Sequence, residues 1–298
     1  MATLRIQSDG DPHPALAGNN LVGDDEVRVF SDGKLIAEQT YDYTFEYRAG
    51  NNTSDPHAVV ATSPVGIANN GVLIYSSIAS SSTLPATQAI APAGFNWNMG
   101  FTGLSGEFPL DPAGGRPDDS AGEYRYRTGK FHTNGMSTAA FVNSSTYYTN
   151  NVFSASAADR LRHDALTVGE IAYTGGHSKI LGFAFDGYPI YGPYGYSNSS
   201  DPTSTVIRMR SSYDTRTQLE TTTSRPSFVD IANGSFVEDY IYRANTGTLD
   251  QHNGRFCITP DYKQGTYAYF LTFSDTNLID PEYPYIIGPS TREQRDNI

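Results

Sequence analysis

The 298-residue sequence has one cysteine, one tryptophan, four methionines and four lysines, and these scarcities exclude whole classes of protein. A single thiol, Cys257, cannot form an internal disulfide or a cysteine-based zinc site. Flanked by Phe256 and Ile258, it reads as a small buried hydrophobe. No run approaches the ~18–20 apolar residues of a membrane span, so membrane insertion is not expected. Residues 1–8 lack the apolar core of a signal peptide. Basic charge is short as well: 20 Lys and Arg against 32 Asp and Glu leave a formal net charge of −12. A nucleic-acid binder needs a basic surface that releases counterions from phosphate, and no stretch here supplies one. Nucleic acid is thereby excluded as a partner. Charged residues make up only 17%, too few for a coiled coil or a charge-driven disordered chain.

What the chain has instead is tyrosine and turn formers: 21 Tyr and 15 Phe beside 28 Gly and 17 Pro. That combination favours strands and structured turns over helices. Residues 41–48 alternate aromatic and polar side chains, which puts Tyr41, Tyr43, Phe45 and Tyr47 on a core face and Asp42, Thr44 and Glu46 on the other. Residues 27–30 and 34–37 flank Ser31-Asp32-Gly33, a hairpin signal. Further strands are expected at 71–75, 180–185, 188–191, 256–259, 266–273 and 283–287, with Phe183, Phe185, Tyr267, Tyr269, Leu271 and Phe273 facing the core. One short helix is expected at 157–166, and 199–223, rich in Ser and Thr, reads as an exposed insertion. No repeat of 20–50 residues is visible, which excludes solenoids and propellers. The fold class expected is mainly β, a sandwich-like single domain with long ordered loops. An N-terminal β segment (1–40) runs into the main β domain (41–289), followed by a tail (290–298).

The chemistry-bearing residues are few. None of the six histidines, His13, His57, His132, His163, His177 and His252, stands at a metal-ligand spacing from another, so a site would have to be assembled across loops. His177 and His252 with Asp186 and Asp250 form a candidate carboxylate–imidazole cluster. It could hold Ca²⁺ or another divalent cation, or act as an acid–base pair. The same side chains could equally satisfy backbone groups in tight buried turns. There is no Gly-x-Ser-x-Gly elbow, no P-loop and no dinucleotide fingerprint.

Several ordered blocks resemble one family. Ser8-Asp-Gly-Asp-Pro-His-Pro14, Pro64-Val-Gly-Ile-Ala-Asn-Asn-Gly-Val72, Asp111-Pro-Ala-Gly-Gly-Arg-Pro117 and Gly122-Glu-Tyr-Arg-Tyr-Arg127 are the first four. Gly176-His-Ser-Lys-Ile-Leu-Gly-Phe-Ala-Phe-Asp-Gly-Tyr-Pro-Ile-Tyr-Gly-Pro193 is the most specific. Leu249-Asp-Gln-His-Asn-Gly-Arg-Phe256, Gly265-Thr-Tyr-Ala-Tyr-Phe270 and Pro284-Tyr-Ile-Ile-Gly288 follow. Together they are similar to the YHYH-domain family, named for a Tyr-His-Tyr-His motif. The resemblance implies exported bacterial proteins or phage virion proteins and brings no agreed activity with it. It also implies that Arg125 and Arg127 stand where the motif has histidines, and that Arg116 likewise stands in place of a histidine. Guanidinium does not ligate metal or shed its proton near pH 7, but it clamps carboxylates through two parallel hydrogen bonds. At least one of Arg125 and Arg127 is therefore expected to pair with an acid of the same domain, with Asp111, Asp186 and Asp250 as leading candidates.

The functional expectation is a non-enzymatic structural or adhesive component of a tailed-phage virion. Its partners would be other virion proteins, copies of itself or a cell-surface glycan. Arg125, Arg127, His177, Asp186, Asp250, His252 and Arg255 form the candidate binding or structural cluster. No motif calls for a cofactor, and Ca²⁺ or another divalent cation is the candidate ligand. The alternative is a secreted-type metal-dependent hydrolase, or a metal- or carbohydrate-binding module, built on the His/Asp cluster.

Overall fold

The period-2 patterning of the sequence translates into many short strands among the residues that the computed structural model describes. It describes residues 2–10, 20–21, 28–29, 35–48, 50, 52–59, 63–69, 71–76, 78, 115–117, 121–128, 177–178, 180–220, 225, 231–273 and 281–294. In chain order the strands are β1 (Ala2–Ser8), β2 (Asn20–Leu21), β3 (Arg28–Val29), β4 (Leu35–Ile36), β5 (Tyr41–Tyr47), β6 (His57–Ala58), β7 (Pro64–Ala68) and β8 (Leu73–Tyr75). After these come β9 (Gly115–Pro117), β10 (Tyr124–Tyr126), β11 (Ile180–Ala184), β12 (Pro189–Tyr191), β13 (Tyr194–Tyr196) and β14 (Val206–Arg208). The last five are β15 (Tyr213–Thr215), β16 (Tyr240–Tyr242), β17 (Gly254–Cys257), β18 (Thr266–Phe270) and β19 (Ser290–Thr291). Among the described residues the helical element is one 3-10 turn, Val237–Asp239. The fold is mainly β, as the composition predicts.

An eight-stranded mixed sheet in the order β17-β18-β12-β11-β7-β8-β10-β9 organises the domain. Both of its faces are buried, so its central strands read as continuous apolar runs; all five residues of β18 are buried. Alternation sorts their side chains. Tyr124, Tyr126, Val72, Ile74, Tyr188, Ile190, Tyr267 and Tyr269 point to one face, where Tyr283, Tyr285, Ile286 and Ile287 cover them. The opposite face carries two smaller clusters. Tyr191, Ala268 and Phe270 pack with Met209, Leu249 and Cys257. Ile67, Leu73, Tyr75 and Phe185 pack under the β1–β5 ribbon through Phe45, Leu4, Ile6, Tyr41 and Tyr43. Each fully buried side chain of this size contributes about 1.5–3 kcal/mol of transfer free energy.

The alternation expected along 41–48 is present: Asp42 and Thr44 are exposed, Phe45 is buried, and Tyr41, Tyr43 and Tyr47 are half-buried against the core side. Strands β3 and β4 pair antiparallel, Arg28 opposite Ile36, as the hairpin signal requires. The expected helix at 157–166 and the turn residues Ser31, Asp32 and Gly33 lie outside the described residues.

Two segments differ from expectation. Residues 283–287 form turns rather than a strand, because Pro284 has no N–H to give a ladder and Tyr285 takes a φ of 72°. Their apolar side chains still enter the core. Within the expected insertion 199–223, the described residues 199–220 are not uniformly exposed. Their Val206, Met209, Ser211 and Ser212 are buried, and β14 and β15 pair with β13 and β16. The Ser/Thr content there satisfies turn amides locally: Ser211 Oγ, for example, accepts the Tyr213 N–H at 3.0 Å.

At the heart of the sheet, β7 and β11 approach so closely that side chains are excluded. A Cβ on Gly182 would lie 2.4 Å from the Ile67 carbonyl oxygen, and one on Gly66 would lie 2.6 Å from that of Phe183. Gly182→Ala and Gly66→Ala should each lower stability by about 1–3 kcal/mol through overpacking against immobile backbone. Urea unfolding followed by circular dichroism measures it; wild-type midpoints in both variants would contradict the close packing.

Candidate functional site

The turn after β11 positions the first candidate. Gly187 takes a φ of 90°, and the amides of Ala184 and Gly187 bond the carbonyls of Tyr188 and Ala184 at 2.9 Å each, closing a tight Asp-Gly turn. This buries Asp186, only 1% exposed, over the sheet. Its Oδ2 accepts the Tyr269 hydroxyl at 2.5 Å and the backbone N–H groups of Arg292 and Glu293 at 3.1 and 3.2 Å. Its Oδ1 is buried with no hydrogen-bond partner. Burial pushes the carboxyl up to about 6, against the pull of these donors, which favour the ionised form.

The second candidate turn, residues 250–254, is built round a carboxylate. Asp250 Oδ1 accepts the backbone N–H of His252 at 2.9 Å and of Gly254 at 3.2 Å, while Asn253 takes a φ of 65°. The Tyr267 hydroxyl donates to the same oxygen at 2.8 Å. His252 is buried, its Nδ1 3.0 Å from the Ser290 carbonyl and 2.9 Å from the Ser290 hydroxyl. Arg292 joins the two turns. Its amide bonds Asp186, while its guanidinium lies 3.9 Å from Asp250 and 5.0 Å from the Tyr267 ring centroid. Asp186, Asp250 and His252 thus gather at one face, under Tyr267 and Tyr269.

His177 and Arg255 sit on the other face. The His177 ring packs against Tyr191 and Tyr196 at 5.0 Å each and Phe270 at 5.8 Å between centroids, with Nδ1 2.8 Å from the Ser178 carbonyl. Burial lowers its pKa below the usual imidazole value, and the nearby Arg255 charge adds to the drop. Arg255 donates to the Tyr196 carbonyl and lies 5.7 Å from the Phe270 ring. The five candidates at this end of the sheet therefore do not converge; strand alternation places His177 and Arg255 opposite Asp186, Asp250 and His252.

Arg125 and Arg127 lie at the far end of the sheet, on β10 and just beyond it, and both approach the Tyr75 ring, at 4.1 and 4.9 Å from its centroid. The acid that ties Arg125 is Glu123, whose Oε2 accepts its Nε–H at 2.6 Å; Oε1 accepts the Tyr41 hydroxyl at 2.6 Å. This corrects the expected partner. Glu123 is two residues away on the same strand face, whereas Asp186 and Asp250 belong to turns several strands off, across the sheet. Asp111 lies outside the described residues. Arg127 donates to the Ser76 carbonyl at 3.3 Å.

Compared with known proteins, residues 46–281 match the family model described as YHYH protein. The chain belongs to the YHYH protein family. No curated protein and no solved structure matched it in the same comparisons. All seven candidates of this YHYH protein fall inside the matched span, while Ser290, Arg292 and Glu293, which complete the Asp186 and His252 contacts, fall after it.

Sequence reasoning missed those three residues and Glu123. For Glu123 a signal existed in its i−2 spacing from Arg125. It also missed the pair Arg225–Asp239, buried at 1% and 2%, bonded at 2.5 and 2.8 Å. That pair braces residues 231–239 through the Ile231 and Ala232 carbonyls and the Gly234 and Phe236 amides. Among the described residues no group of three or more His, Cys, Asp or Glu could hold a metal ion. His57 is exposed on β6, and His13, His132 and His163 lie outside the described residues.

The buried acids give the fold a pH signature. Burial also raises Glu282, to about 7, although Arg208 and Arg210 pull it down. A carboxyl whose folded pKa is raised binds its proton more tightly in the folded state. Its contribution is full below the ordinary values of 3.8 and 4.5 and is lost as pH climbs through about 6 for Asp186 and about 7 for Glu282. Between those limits Asp186 alone should cost on the order of 2–3 kcal/mol of stability. Urea unfolding at a series of pH values should therefore fall more steeply with rising pH in wild type than in Asp186→Asn/Glu282→Gln. Parallel profiles would show that neither acid is strained by burial.

Proposed function

We propose that this YHYH protein is a structural or adhesive component of a virus particle, a tailed phage, and works by binding and assembly rather than turnover. The observation that carries this reading is how the candidate side chains spend their polar atoms. Asp250 caps its own turn and takes the Tyr267 hydroxyl, His252 fixes Ser290, Arg255 holds the Tyr196 carbonyl, and Arg125 holds Glu123. Each contact is internal, and those to Tyr267, Ser290 and Tyr196 join segments distant in sequence. We read Arg116, Arg125 and Arg127 as standing where relatives carry histidine. A guanidinium there keeps contacts and gives up proton transfer and metal ligation. A chain of net charge −12 needs partners of complementary surface, or divalent cations, to pack in many copies, because like-charged subunits repel. Other virion chains, further copies and a cell-surface glycan are the partners this reading names. The alternative hydrolase or metal-binding module needs His177 to meet Asp186, Asp250 and His252, and the sheet lies between them.

Mass spectrometry of purified particles, paired with a hydrolase screen of the isolated protein with and without Ca²⁺ or Mg²⁺, tests the proposal. The chain is expected in the particle, with no turnover that depends on His177 or His252. A robust activity abolished in both His177→Ala and His252→Ala, with folding intact, would overturn it.

A further inference from the structure

Among the described residues, the β1–β5 ribbon has an edge that no further strand closes. β1 pairs with β5 in unbroken register, from Ala2 opposite Tyr47 to Ser8 opposite Tyr41, without a bulge. Among the described residues no strand lies on its other side, and no further backbone hydrogen bond reaches Ala2–Ser8. In an antiparallel ladder every second residue turns its N–H and C=O to a given neighbour, so this edge offers roughly three or four donor–acceptor pairs. The strand holds no Pro, no Gly and no Lys, the residues that usually blunt an edge. One edge strand of the large sheet, β17, is handled differently. Its Gly254 amide and carbonyl are both taken by Asp250, and just past its end the Ile258 amide bonds the Ser199 carbonyl at 2.8 Å.

The charge on β1 suits such an edge. In a protein of net charge −12 it carries no acid and a single Arg5. Arg5 neutralises the nearest carboxylate, Asp42 on β5, through bonds of 2.8 and 2.6 Å. Two copies approaching edge to edge here would meet without carboxylate facing carboxylate.

We propose that β1 is an assembly edge that pairs antiparallel with β1 of a second copy, making a continuous sheet in the order β5–β1–β1–β5. A two-fold axis normal to the ribbon keeps exposed residues on one face and Leu4 and Ile6 on the other. Registers that set Arg5 opposite Gln7 or Thr3 of the second copy avoid like charges. The register that sets Arg5 opposite Arg5 is disfavoured, so this one side chain selects the alignment. A seven-residue junction falls short of the ~1,000 Å² of a self-sufficient interface, so it is weak singly and strong only when repeated at high local concentration. Its purpose rests on the assembly reading above; its geometry does not.

The test compares wild type with Thr3→Lys/Gln7→Lys, both changes on the exposed face of β1. Sedimentation equilibrium and amide exchange are followed over a range of protein concentrations. Wild type should self-associate with β1 amides gaining protection as concentration rises, while the double variant stays monomeric with an unchanged melting temperature. β1 amides unprotected at all concentrations, equal association of the variant, or protection only when another virion chain is added would each overturn pairing with a second copy. A variant that remains monomeric yet enters particles at the wild-type level would overturn the role of the edge and leave the assembly reading standing. Absence of the wild-type chain from particles would sink the assembly reading, whatever the edge does in isolation.

Discussion

A sheet buried on both faces and filled with tyrosine has one problem to solve: every ring that enters the core brings a hydroxyl that must find an acceptor. A buried hydroxyl without a partner costs on the order of 1–3 kcal/mol. The chain answers with carboxylates. Tyr269 donates to Asp186 at 2.5 Å, Tyr267 to Asp250 at 2.8 Å, Tyr191 to Asp261 at 2.9 Å and Tyr41 to Glu123 at 2.6 Å. Each acid comes from a turn or a strand end, so satisfying the hydroxyl also fixes a loop to the sheet.

The consequence is a fold whose most chemical-looking residues are its fasteners. Asp186 bonds the Tyr269 hydroxyl and the amides of Arg292 and Glu293, which holds the C-terminal segment against the β11–β12 turn. His252 holds the same segment at Ser290, and Asn253 reaches the carbonyls of Phe270 and Ile286 at 2.9 and 3.1 Å. On the opposite face His177 is one more ring in an aromatic cluster with Tyr191, Tyr196 and Phe270. The Arg225–Asp239 pair does for residues 231–239 what Asp186 does for the C-terminus. Removing one partner of such a desolvated pair costs more than the pair's net contribution, because the charge left behind has no water to turn to.

Strand patterning was readable because period 2 is a property of the chain itself. Tyr41, Tyr43, Phe45 and Tyr47 declare their face without reference to any neighbour. So did the mutual proximity of Arg125 and Arg127, two apart on an extended segment. The partner of Arg125 was hidden because charge alone nominates every acid in the chain, and only strand alternation singles out Glu123. The split of the candidate cluster was hidden for the same reason in reverse. His177 and His252 lie in similar turn-rich blocks, and the side of the sheet each reaches depends on how β12 and β18 stack in the sheet, which is non-local. Residues 283–287 misled because an apolar aromatic run looks like a buried strand whether or not its backbone joins a ladder. Pro284 was the available warning.

The central claim is that tyrosine–carboxylate pairs hold the sheet together and that Asp186 serves the fold. A double-mutant cycle of Tyr269→Phe and Asp186→Asn, measured by equilibrium urea unfolding at pH 8, where Asp186 is ionised, tests it most directly. The account predicts a coupling of about 1.5–3 kcal/mol, the range for a hydrogen bond to a charged acceptor. Additive effects of the two substitutions would contradict it.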